Sequence, residues 1–215
     1  MVVKAVVFDI GGVLIEESGA LARDIVAEKH GFDSGDFKDY AKKNLSRSHK
    51  GELEAEDFFK GLVDELGLDV SSSVLVEDWL AAREESSKIN DVVKEAVDAL
   101  AGVPSDEGKL KGNYLLGVLS DSTCLNERCS ARKNCYGPFD FKILSNEVGS
   151  QKPEKKMYGI LAKELEGRDV KLEEAVFIDD ELENLVPAKE LGIKTILFED
   201  AGQMIEDLKL LGVEI

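Results

Sequence analysis

The sequence predicts an α/β fold in which a parallel, doubly wound sheet carries a small all-helical domain after its first strand. Three observations lead there. From residue 92 onward, short apolar runs alternate with helix-length amphipathic segments. The polar residues flanking those runs sit at their carboxyl ends, the edge where open α/β sheets bind ligands. Residues 16–90, in contrast, hold helical patterns and no convincing strand.

Residues 2–8 (Val-Val-Lys-Ala-Val-Val-Phe) form the first strand, which runs into Asp9 and the pair Gly11-Gly12. Helical spacing then predicts helices over 21–29, 36–45, 55–66 and 74–84, with Gly51-Glu52-Leu53 punctuating the middle. Such an insertion is best placed as a cap over the sheet edge, giving a core of residues 1–15 and 91–215 and a cap of residues 16–90. Residues 91–103 place Val92, Val93, Ala96, Val97 and Leu100 at helical spacing, and 104–113 are expected to be a surface loop. Strands follow at 114–119, ending in Ser120-Asp121, and at 141–144. Pro153 opens a helix with an apolar face of Met157, Ile160, Leu161 and Leu165. The strand 175–178 ends in Asp179-Asp180, and a helix at 184–191, a strand at 193–198 and a helix at 202–211 complete the chain.

With 43% hydrophobic residues over 215 positions, the chain can bury a sizeable core. Its formal net charge of −17 argues against a nucleic-acid partner, which requires a basic footprint. The opening apolar run is too short to span a membrane and carries a lysine, so no membrane partner and a cytoplasmic location are expected. Cys124, Cys129 and Cys135 are an odd set with no histidine near, which suggests reduced thiols rather than a metal site. Composition leaves oligomeric state open.

Asp9, Asp179 and Asp180 at neighbouring strand tips would repel one another unless a cation lies among them. A hard divalent ion such as Mg²⁺ suits one or two carboxylates plus a phosphate oxygen. Lys152, just before Pro153, is a source of compensating charge for both Asp9 and a phosphoryl group. Ser120 and the amides near Gly11 and Gly12 are candidates to hold phosphoryl oxygens.

The ordered set Phe8-Asp9-Ile10-Gly11-Gly12-Val13-Leu14, Leu119-Ser120-Asp121, Lys152-Pro153 and Phe177-Ile178-Asp179-Asp180 with Asn184 resembles the four motifs of the haloacid dehalogenase (HAD) superfamily. Its most specific pieces are Ser150-Gln151-Lys152-Pro153-Glu154 and Phe177 to Asn184, and Lys50-Gly51-Glu52-Leu53 is similar to a recurrent element of the family's small helical (C1-type) caps. The resemblance implies a Rossmann-like core, magnesium, and hydrolysis of a small phosphorylated metabolite such as a sugar phosphate through an aspartyl-phosphate. It makes Asp9 the nucleophile, Lys152 a catalytic and phosphate-binding group, and Gly11, Gly12, Ser120 and Asp121 the substrate-binding positions. Asp9, the Gly11 carbonyl, Asp179 and Asp180 become the metal ligands.

The chain departs from the pattern twice. Gly11 stands where the typical phosphatase has a general-acid aspartate, worth about 10²–10⁴ in rate. Asp121 stands where many members have asparagine, and its charge would oppose anion binding unless it points away. Glu16, Glu17 and His49 are the nearby groups able to move a proton, and all three are expected at the solvated surface. His30, before Gly31, is expected to end a helix. Two other readings stand beside the phosphatase: a catalytically weak or inactive relative that keeps the phosphate and metal site, and a 2-haloacid dehalogenase-type hydrolase, whose halide leaving group needs no acid.

Overall fold

A computed structural model describes residues 2–16, 18–102 and 114–215. Glu17 and the loop expected at 104–113 lie outside the described residues. Five parallel strands, β1 (Ala5–Phe8), β2 (Leu115–Ser120), β3 (Phe141–Leu144), β4 (Ala175–Asp179) and β5 (Lys194–Leu197), are ordered β3-β2-β1-β4-β5. Pairs Phe8↔Val118 and Phe8↔Ile178 fix the register in the middle of the sheet. The next residues along, Asp9, Ser120 and Asp179-Asp180, therefore emerge together at one edge.

The pleat divides the core in two. Val6, Phe8, Leu116, Val118, Val176 and Ile178 face α5 (Asp91–Ala101) and α10 (Ala201–Leu210). Ala5, Val7, Leu119, Ala175 and Phe177 face α8 (Lys155–Glu166) and α9 (Leu182–Glu190). Strands buried on both faces are what a run such as Ala-Val-Val-Phe, apolar without alternation, encodes.

Four helices form a separate layer: α1 (Gly19–His30), α2 (Ser34–His49), α3 (Ala55–Leu66) and α4 (Ser72–Ser86). They bury Phe37, Phe59, Leu62, Leu75 and Leu80 in their own apolar cluster. His30 does end α1, with its ring Nε2 2.7 Å from Asp78 Oδ2 and Gly31 in the left-handed region at φ 70°. The layer joins the sheet through two adjacent extended crossings. Ile15 bridges Ile89, the Glu16 amide donates to Lys88 O, and the Asn90 amide donates to Leu14 O. Exposed ion pairs connect the two bodies further, Lys50–Glu154 at 2.7 Å and Arg128–Glu56 at 3.0 Å, each worth about 0–1 kcal/mol.

Two helices after β2 and β3 differ from expectation. Residues 124–132, approached through their cysteines, form α6 (Cys124–Arg132), whose Thr123 side chain caps the Asn126 amide. A single turn, α7 (Ser145–Val148), follows β3. Leu125 and Cys129 of α6 pack into the cluster of the helical layer rather than into the sheet core. In α8 the expected face of Met157, Leu161 and Leu165 is buried with Ile160 partly buried against it, and Tyr158 joins it as a further buried residue. Among the described residues, no helix is long and apolar enough to cross a membrane.

Candidate active site

Asp9 extends β1: its amide donates to Ile178 O at 2.9 Å, which keeps it in the sheet ladder and beside Asp179. Its own Oδ1 accepts from the Ile10 amide at 2.7 Å. The chain then folds back sharply, with the Leu14 and Ile15 amides both donating to Ile10 O. Gly12 is indispensable in this turn. Its φ is +74°, and a Cβ there would lie 2.1 Å from Asp180 Oδ2. Gly12→Ala is therefore expected to lower stability by at least about 1–2 kcal/mol from the left-handed backbone alone. A urea midpoint matching the wild type would show that the turn is not held in this shape.

Lys152 lies at the centre, with its side chain only 1% exposed. Its Nζ is 2.9 Å from Asp9 Oδ2 and 2.6 Å from Asp179 Oδ2. Burial alone would lower its pKa, but Asp9 and Asp179 outweigh that and hold the ammonium charged well beyond its ordinary value. Asp179 is fully buried; its Oδ1 accepts from the Glu181 amide and from Asn184 Nδ2. The Asn184 backbone is fixed in turn by the Tyr158 hydroxyl, which donates to its carbonyl at 2.6 Å. Both oxygens of Asp179 accept hydrogen bonds within the protein, and one of them holds Lys152 beside Asp9.

Asp9, Asp179 and Asp180 present carboxylate oxygens within 4.8 Å of one another. Burial first, then repulsion from Asp9 and Asp179, pushes the Asp180 carboxyl up to about 6. Lys152 supplies one positive charge against the two carboxylates of Asp9 and Asp179, and among the described residues Asp180 makes no ion pair. Its unbalanced charge next to Asp9, in an all-oxygen set, fits a hard divalent cation. Asp9, Asp179 and Asp180 are the carboxylates that lie close enough together to hold one.

Above these residues a cavity of about 590 Å³ opens between the sheet edge and the helical layer. Asp9, Gly11, Asp121, Lys152 and Asp180 line its floor, and Phe37, Phe58 and Trp79 line its apolar side. Such a volume suits a small metabolite rather than phosphate alone. Other expected residues fall differently. Ser120 is buried and borders a smaller neighbouring cavity with Gly11 and Asp121. Gly12 backs onto Asp180 instead of the ligand space. Asp121 does line the main cavity, while its Oδ1 turns to accept the Lys152 backbone amide at 2.9 Å. Burial pushes its carboxyl up to about 6, partly opposed by Lys152.

His49 corrects the surface expectation. It ends α2 and borders the same cavity, where burial and then the charge of Lys152 lower its pKa against the pull of Asp9. Glu16 is exposed on the crossing segment. The sequence reading also passed over Arg83, a buried arginine on α4 that borders both cavities. A signal existed: Arg83 falls at helical spacing from Val76 and Leu80, on the apolar stripe of its helix.

An acid-lined crevice at the carboxyl edge of a doubly wound sheet defines a Rossmann-like α/β protein with a built ligand site. Within that class the chain belongs to the haloacid dehalogenase-like hydrolases, whose family profile matches residues 3–192. It is 27% identical over 228 residues to bifunctional epoxide hydrolase 2 of Sus scrofa, covering 100% of this chain but only 40% of that protein. A D-ribitol-5-phosphate phosphatase of Bacteroides thetaiotaomicron is 25% identical over 222 residues, covering 97% of this chain and 98% of its own. A solved HAD-family enzyme of the same bacterium superposes with a TM-score of 0.76 at 21% identity, covering 97% of this chain and 99% of that one. That enzyme has also been crystallised with magnesium and inorganic phosphate.

Proposed function

We propose that this chain is a magnesium-dependent phosphatase of a small phosphorylated metabolite, with the α1–α4 layer acting as its cap (residues 16–90) over the core (residues 1–15 and 91–215). The observation that carries the reading is Lys152 Nζ held between Asp9 and Asp179 beneath the cavity. A buried, fully charged ammonium at the tip of the aspartate offers one positive group to both the nucleophile and the phosphoryl oxygens. The bacterial relative that acts on D-ribitol 5-phosphate, and the solved enzyme crystallised with magnesium and phosphate, support the same substrate class and metal.

In this mechanism an Asp9 carboxylate oxygen attacks phosphorus, the bond to the leaving oxygen breaks, and an aspartyl-phosphate forms on Asp9. Water then attacks the same phosphorus, releases inorganic phosphate and restores the carboxylate. Lys152 steadies the phosphoryl charge in both steps, Asp179 keeps Lys152 in place, and Ser120 and the amides near Gly11 assist from the sheet edge. Asp9, Asp179, Asp180 and the Gly11 carbonyl would hold magnesium, which would supply charge neutralisation at the phosphoryl group. Gly11 brings no proton to the leaving oxygen, which favours leaving groups of low basicity, such as an anomeric sugar phosphate or an acyl phosphate.

The same gap favours a second reading, a catalytically weak relative that binds phosphate and metal. Phosphate release from a metabolite panel, with and without magnesium, separates the two. Wild type is expected to exceed an Asp9→Asn control by about 10³-fold or more, the scale of losing a covalent nucleophile. Equal release from both proteins would end the phosphatase reading. Chloride released from 2-haloacids without metal would instead revive a dehalogenase.

A further inference from the structure

On the side of the helical layer the cavity reaches a pair of arginines, one of which, Arg83, also borders the smaller cavity with Gly11, Ser120 and Asp121. Arg83 is 8% exposed, and its hydrogen-bonding partners are neutral. Its Nη1 donates to Ser18 Oγ at 2.9 Å, the Cys129 thiol lies against it, and its Nε has no partner. Arg23, one turn into α1, approaches the same spot: a Cβ on Gly19 would lie 3.6 Å from Arg23 Nη1 and 3.7 Å from Arg83 Nη1. Gly19, Arg23 and Arg83 all line the 590 Å³ cavity. Among the described residues neither guanidinium forms an ion pair with a carboxylate, although the chain carries 44 acidic residues.

A buried guanidinium without a counter-ion carries a desolvation cost that a neutral hydroxyl and thiol do not offset. The surrounding wall is similarly incomplete. Ser48 Oγ and Trp79 Nε1 are buried without hydrogen-bond partners, and both residues line this cavity. Unsatisfied buried donors are rare in folded proteins, and several in one cavity wall point to a polar ligand that completes them. Only the floor is needed to hold a phosphoryl group, and the arginines belong to the helical layer.

Resting on the phosphatase reading, we propose that Arg83 and Arg23 form a second anion subsite, so that the substrate is a phosphate ester bearing another anionic group, a carboxylate or a second phosphate, at its far end. Guanidinium forks match both groups bidentately, and each charge-assisted contact strengthens binding of the doubly anionic molecule over its neutral counterpart. The apolar side formed by Phe37, Phe58 and Trp79 would cover the carbon skeleton between the two ends.

The test is calorimetric binding, with magnesium present, of three non-hydrolysable probes of similar length: propylphosphonate, 3-phosphonopropionate and propane-1,3-bisphosphonate. The wild type is expected to bind at least one doubly anionic probe about tenfold or more tightly than propylphosphonate. The better of the two identifies the second anion as carboxylate or phosphate. In Arg83→Gln that ratio collapses towards one, and in Arg23→Gln, a less buried position whose change spares the fold, it falls at least about threefold. Equal binding of all three probes by the wild type overturns the subsite while leaving the phosphatase reading intact, as does a preference that survives both substitutions. Failure of every probe to bind overturns both.

Discussion

Replacing Lys152 with methionine is expected to lower the stability of the fold by about 3–5 kcal/mol and to abolish phosphate release. The reason is electrostatic before it is catalytic. Lys152 Nζ is the cation shared by Asp9 and Asp179, and Asp179 is fully buried. Methionine fills much of the same volume but leaves two carboxylates facing each other without a cation. Those carboxylates would bind protons more tightly in the folded chain than in the unfolded one, so stability rises as pH falls. Urea denaturation at pH 7 and pH 5 reads both effects: a large deficit at pH 7 that narrows at pH 5. A variant as stable as wild type at pH 7 would mean that the ammonium is not the charge holding the pair together.

Restoring an acid with Gly11→Asp is expected to raise kcat on simple alkyl phosphates by about 10²–10⁴. Gly11 is absent from the left-handed glycines and borders the cavity, so an aspartate there would face the site. Activated substrates such as acyl phosphates should gain far less, because their leaving groups need little protonation. The comparison of the two substrate types under saturating conditions is the measurement. A gain below about tenfold on alkyl phosphates would show that another group already moves the proton. His49 is then the first to substitute. With a pKa held below its usual value by burial and by Lys152, it is mostly neutral at pH 7 and better suited to accept a proton from water than to supply one.

Much of the floor of the site was legible because strand tips are local features. Asp9, Ser120 and Asp179-Asp180 each follow a short apolar run, and parallel register brings them to one edge without further information. What those residues do with one another was less legible. Asp179 reads as a metal ligand from its place beside Asp180, and the fold adds what spacing could not, that its oxygens also accept from Lys152, Glu181 and Asn184. The cavity walls were least legible. Helical periodicity says that α2 and α4 have buried faces, but not that His49 and Arg83 meet the sheet edge, since packing between layers decides that. α6 escaped notice for a related reason: only Leu125, Cys129 and Ser130 are buried along it, too few to make an apolar stripe, and the first two pack into the cluster of the helical layer.

The three cysteines acquire a use from their positions. Cys124 is half-buried at the start of α6, Cys129 lies in the seam where α6 meets α4, and Cys135 belongs to the core of the sheet. Burial raises the pKa of all three, so each thiol is protonated and unreactive while it stays enclosed. They therefore form a natural depth gauge. Alkylation of Cys124 clocks local fraying, that of Cys129 clocks parting of the helical layer from the sheet, and that of Cys135 clocks global unfolding.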